Sequence, residues 1–150
     1  MKIAMKIMLG AVVFALAAGN PAFADQSMAV PGAMDAGGRK VLTIVNKDPP
    51  GVRCNGNVQV AVEVANVYRV PIQILPASLA PGLPAPSVFY GTQLIAADGK
   101  EHNGQSSFQI VADVLEIEGA PKQAKSGLIF QDKVRKDFDA LKFTIKAGGK

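Results

Sequence analysis

The run Val41-Leu42-Thr43-Ile44-Val45 passes directly into Asn46-Lys47-Asp48-Pro49-Pro50-Gly51. A short β-branched run bounded by turn residues reads as a buried strand entering a tight loop. Cys54, the only cysteine, stands just beyond that loop. The next segment, Asn57 to Arg69, has two periodicities. Val58, Val60, Val62 and Val64 alternate as in a strand, whereas Gln59, Glu63, Asn66 and Arg69 form a polar stripe at helical spacing. Length favours a helix, since an unbroken strand of this size is unusual. Asn55 or Asn57 can supply its N-cap, although the valines lower its intrinsic propensity. Strand, Pro-Gly loop and a cysteine at a helix start together hold a thiol in a defined place.

The N-terminus bears on what that thiol meets. Lys2 and Lys6 precede an apolar stretch from Ile7 to Ala18, and Ala22-Phe23-Ala24 precedes Asp25. This is the pattern of a secretory signal peptide over residues 1–24, with an apolar run too short for a comfortable transmembrane span. The expected destination is an oxidising compartment, most simply a bacterial periplasm, with no membrane anchor after cleavage. A single cysteine there cannot form an internal disulfide. It is a buried small hydrophobe, an intermolecular partner or a reactive thiol.

With one histidine in the chain, a conventional zinc or blue-copper site within one subunit is excluded, and no metal or other cofactor is expected. Met28 and Met34 lie in a stretch without converging ligands. The formal net charge is +4, from sixteen Lys and Arg against twelve Asp and Glu. Loss of Lys2 and Lys6 with the leader leaves fourteen against twelve, or +2. No basic cluster with interleaved aromatics stands out, so nucleic acid is not an expected partner.

The remainder fits one domain. Residues 25–39 lack periodicity and read as a flexible lead. Val70 to Leu75 reads as a strand limited by Pro71, followed by the proline-rich stretch Pro76 to Pro86. Ser87 to Gly91 and Gln93 to Ala97 read as a hairpin turning at Gly91-Thr92, with Asp98-Gly99 at its far end. Ser106 or Ser107 is placed to cap a helix whose apolar face carries Phe108, Val111 and Leu115 and which Gly119 and Pro121 stop. Residues 122–150 read as an extension with one or two strands, at Leu128 to Phe130 and at Ala140 to Lys146, where Leu141, Phe143 and Ile145 alternate with polar residues. Asp132 to Asp139 reads as a turn or short helix.

Strand, thiol loop, helix, strand, proline-rich link, hairpin and helix, in that order, resemble the thioredoxin-like superfamily, and its compact glutaredoxin-like branch most. Three features carry the likeness: Pro49-Pro50-Gly51-Val52-Arg53-Cys54 after the first strand, Pro86-Ser87-Val88-Phe89 as a cis-proline entering the third, and the Val88–Ala97 hairpin with its following helix. The resemblance covers about Lys40 to Gly119 and implies an α/β fold, three layers around a mixed sheet, over residues 40–121. Counted back from the second strand, Cys54 takes the nucleophile's position and Asn57 the resolving one, a monothiol Cys54-Asn55-Gly56-Asn57 motif. Counted the other way, Gly51 takes the nucleophile's position and Cys54 the resolving one, which leaves no redox activity.

Under the first count Cys54 is the catalytic thiol. A helix start and Arg53 favour its thiolate, and Pro86, Ser87, Arg53 and Asn57 form the substrate-binding set. The function implied is thiol–disulfide exchange, or a mixed-disulfide carrier, with a protein or small thiol or disulfide as partner. Two other readings stay open: a non-catalytic binding or assembly module on the same scaffold, and a small exported β-sandwich if Val58 to Leu75 is β. His102 reads as a solvated loop residue, and Asp98, Lys100 and Glu101 as a charged hairpin tip. Oligomeric state has no signature in the sequence.

Overall fold

In the computed structural model, which describes residues 28–148, the Val41–Val45 run supplies the inner strand β1 (Leu42–Asn46). The leader expected over residues 1–24 lies outside the described residues. Strands β2 (Ile72–Pro76), β3 (Ser87–Tyr90) and β4 (Gln93–Ala97) complete one mixed sheet in the order β2-β1-β3-β4. β1 runs parallel to β2, with Leu42 opposite Ile72, and antiparallel to β3, with Leu42 opposite Tyr90. A parallel pair needs a crossover, and helix α1 (Val52–Val67) provides it. The β3–β4 hairpin turns at Gly91-Thr92, where Gly91 takes a φ of +60° that a residue without Cβ adopts freely. Helix α2 (Phe108–Ile117) starts at Ser107, whose hydroxyl accepts the Ile110 N–H, and stops before Gly119.

The domain is therefore α/β. The helix expected from Asn57 is present but starts five residues earlier, at Val52, with Gly51 as N-cap. A β-sandwich is ruled out by this helix. Its inner face presents Cys54, Asn57, Ala61, Val64 and Tyr68, all buried at helical spacing. Val64 and Tyr68 meet Leu42, Val88, Tyr90 and Ile95 of the sheet and Val111 and Leu115 of α2. Each large aliphatic fully buried here contributes roughly 1.5–3 kcal/mol.

Among the described residues no α-helix covers the opposite face of the sheet. Val45 and Phe89 are covered instead by Ala80 and Leu83 of the proline-rich stretch and by Val30 of the N-terminal lead. The described part of that lead is folded, contrary to the expectation of a flexible segment. Gln73 Nε2 donates to the Pro31 carbonyl and to Thr43 Oγ1, pinning lead to sheet. The physical reason is Phe89, which is fully buried and would otherwise face water.

The C-terminal extension also departs from expectation. Leu128–Phe130 is a 3-10 turn and Asp132–Lys146 is helix α3, so neither expected strand forms. The alternation of Leu141, Phe143 and Ile145 coexists with a helical stripe, Val134, Phe138, Leu141 and Ile145. Among the described residues no neighbouring strand is present to complete a ladder, whereas α1 offers Glu63. That carboxylate is 2% exposed and accepts from Arg135 Nη1 at 3.2 Å and from Lys142. Part of the polar stripe of α1 is thus the seat of α3.

Candidate functional site

The β1–α1 loop, the start of α1 and the start of β3 converge at the C-terminal end of β1. Lys47, Gly51, Val52, Arg53, Cys54 and Pro86 line a cleft of about 250 Å³ there. Three of the sequence-derived site residues, Arg53, Cys54 and Pro86, are brought together in this cleft. The Ala85–Pro86 peptide is cis, as the resemblance implies; Asp48–Pro49 is also cis.

Gly51 ends the loop with extended backbone and caps no helix N–H with a side chain. Cys54 follows as the third residue of α1, turned inward and 1% exposed. Its Sγ accepts the Lys47 N–H at 3.3 Å. That bond ties the first turn of the helix to the residue leaving β1. The thiol is thus at the back of the cleft, and Gly51 occupies the helix start.

The other two site residues stand apart from the lining. Asn57 is fully buried, one turn further along α1. Its Nδ2 donates to the Gly104 carbonyl at 2.8 Å, and its Oδ1 accepts from the backbone and hydroxyl of Ser106. It fastens α1 to the loop after β4. Ser87 is fully buried opposite Val45, and its Oγ has no hydrogen-bond partner among the described residues.

Behind the polar lining residues Lys47 and Arg53 stands Asp98, which the sequence reading assigned to a hairpin tip. Asp98 accepts from Lys47 Nζ at 2.8 Å and from Arg53 Nη1 at 2.6 Å. The Lys47 bond first, and the Arg53 bond with it, hold the Asp98 carboxyl below the usual carboxylate range. Arg53 also donates to the Asn103 carbonyl at 2.6 Å. His102 and Asn103 take left-handed φ values of 50° and 48°. Gly104 follows at φ +72°, and a Cβ there would lie 2.7 Å from the Pro86 carbonyl oxygen and 2.8 Å from the Asp98 nitrogen. The Asp98 N–H itself donates to that Pro86 carbonyl at 2.9 Å. Asp98, Asn103 and Gly104 thus position Pro86 and Arg53; the only sequence cue was the pair of glycines flanking a polar loop.

Beside the cleft, Ile145 and Gly148 at the end of α3 face Pro50, Gly51, Val52 and Asn55 across a hollow of about 420 Å³. The extension therefore reaches the same end of the molecule as Cys54. Among the described residues no three His, Cys, Asp or Glu side chains cluster so as to hold a metal ion, and no helix is long and apolar enough to cross a membrane. No protein-family model, curated protein or solved structure matches this chain.

Proposed function

We propose that this chain is an exported binding module on a thioredoxin-like scaffold, which receives an extended partner segment in the cleft beside Pro86 without thiol chemistry. The observation that carries this reading is the depth of Cys54. It is 1% exposed and lies behind Gly51, the residue that opens α1. In the family resembled, the attacking thiol opens the helix, and a disulfide can be attacked only by an accessible thiolate. Here that place has no side chain. The scaffold assignment is supported by the strand order β2-β1-β3-β4, the parallel β1–α1–β2 crossover, the antiparallel hairpin and the proline ahead of β3. Export is supported by the leader sequence.

The competing reading, a monothiol exchanger, is favoured by the fact that Cys54 lines the cleft together with Arg53. Labelling the folded protein with an aromatic disulfide reagent, against the same protein in denaturant, separates the two. The expected result is retardation by two or more powers of ten, because the thiol reacts only after α1 opens locally. Labelling of the folded protein at the denatured rate, with capture of glutathione as a stable mixed disulfide, would overturn the binding reading and support exchange.

A further inference from the structure

The N-terminal end of β1, opposite the Cys54 cleft, borders a second hollow of about 310 Å³. It is lined by the turn before β1, the start of β2, the end of β3 and the segment leaving α2. That volume is at the low end of the roughly 300–1,000 Å³ found for small-molecule sites. Its floor includes the buried ring of Tyr90, and Pro71 and Pro121 are among its apolar walls. Gly38 and Gly119, both lining it, take φ values of +75° and +67°, and a Cβ at either would meet no atom within 4 Å. Both are positions where an L side chain would be strained and none is present.

The charges are unequal. Arg39, Lys40 and Arg69 line the hollow with a single carboxylate, Glu118. Lys40 pairs with Glu118 and stands 5.8 Å from the centre of the Tyr90 ring. Arg39 pairs with Asp35 at 2.6 Å. Arg69 is exposed and has no ion-pair partner among the described residues. One uncompensated guanidinium beside an aromatic and prolyl surface matches one negative charge on a flat apolar body.

We propose that this hollow binds a small organic carboxylate with a planar apolar body, its charge met by Arg69 and its body received beside Tyr90, Pro71 and Pro121. The site is independent of the cleft at Cys54 and of the function proposed there. Its volume selects a free small acid over a folded partner.

The test is a chemical-shift titration of the purified protein with naphthalene-2-carboxylate, and in parallel with the uncharged 2-naphthalenemethanol. Saturable shifts are expected at Val70, Tyr90 and Gly119, with the alcohol binding about tenfold or more weakly. Arg69→Gln should reduce the acid to the level of the alcohol. Equal binding of acid and alcohol by the unaltered protein would overturn the proposal, as would saturable shifts confined to other surfaces. Absence of saturation by either compound at millimolar concentration would overturn it as well. The comparison of acid with alcohol needs no variant, so it decides even if Arg69→Gln folds poorly.

Discussion

Helices α2 and α3 are two neighbours of α1 held by opposite physics. α2 buries Val111, Ala112 and Leu115 against α1 and the sheet. α3 has no fully buried residue of its own, and it meets α1 through the ion pairs of Arg135 and Lys142 with Glu63. Large apolar side chains stay in water on its outer side, Phe143 at 75% exposure. The contrast separates a helix that is part of the core from one seated on it. Apolar docking is not screened by salt, whereas partly exposed ion pairs weaken as ionic strength rises.

The largest effect that would sharpen this contrast comes from α2. Leu115→Ala should destabilise the whole domain by about 2–5 kcal/mol, read from urea unfolding. A loss under about 1 kcal/mol would place α2 outside the core.

The corresponding break in α3 is the pair Arg135→Ala and Lys142→Ala, which leaves Glu63 without its cations. A buried charge stripped of its partner is destabilising by about 3–5 kcal/mol in a closed interior. The effect here should be smaller, because α3 can lift and let water reach the carboxylate. Hydrogen exchange should therefore accelerate across residues 132–146 while β1 and β3 keep their protection. Equal acceleration in the strands would make α3 as much a part of the core as α2.

The tyrosines test the α1–α2 joint by pH. Tyr68 donates to Glu116 at 2.6 Å, and burial, with that carboxylate, pushes its phenol up to about 12. Burial also raises Tyr90, despite the opposing pull of Lys40. A group raised on folding stabilises fully below its unfolded pKa and loses that contribution as pH rises through the folded value. The Tyr68 contribution should thus hold up to pH ~10 and vanish toward pH ~12. Phenolate absorbance of the folded protein should rise later than that of the denatured chain. A rise at the same pH would show that the phenols are not held.

Asp98→Asn should have the smallest effect. Its contribution, from a carboxyl lowered by Lys47 and Arg53, is present above the unfolded value of about 4 and fades as pH falls through the folded one. Global unfolding should barely change, while exchange at residues 98–104 quickens. A substantial shift of the global transition would make the Asp98 ion pairs a determinant of the fold.

Much of the sheet and both core helices are legible in local signals. The β-branched run of β1, the two-residue turn at Gly91-Thr92 and the cap at Ser107 each specify structure through their immediate neighbours. α3 is different, because Leu141, Phe143 and Ile145 fit a strand as well as a helix and only Glu63, far away in sequence, decides. Cys54 was readable as a residue near a helix start, but not to within the one turn that separates an accessible thiol from a buried one. That depth follows from Gly51 taking the N-cap, which Asn55 and Asn57 competed for on propensity. Asn57 is placed in the substrate-binding set by the motif count alone; its bonds to Gly104 and Ser106, which hold it in the interior, cross a long stretch of chain. The hollow at Tyr90 and Arg69 has no local signal at all, being assembled from four separate segments.

Gly104 has a consequence for descent. Its missing side chain is what lets the loop after β4 pass against Pro86 and Asp98, a requirement of backbone proximity and independent of any reaction. A chain that diverges from this one can lose Cys54 and keep the fold, but losing the glycine forces the loop and the strand start apart. Pro86 and Gly104, at this interval, should therefore persist together as a fingerprint of common ancestry after the thiol has gone.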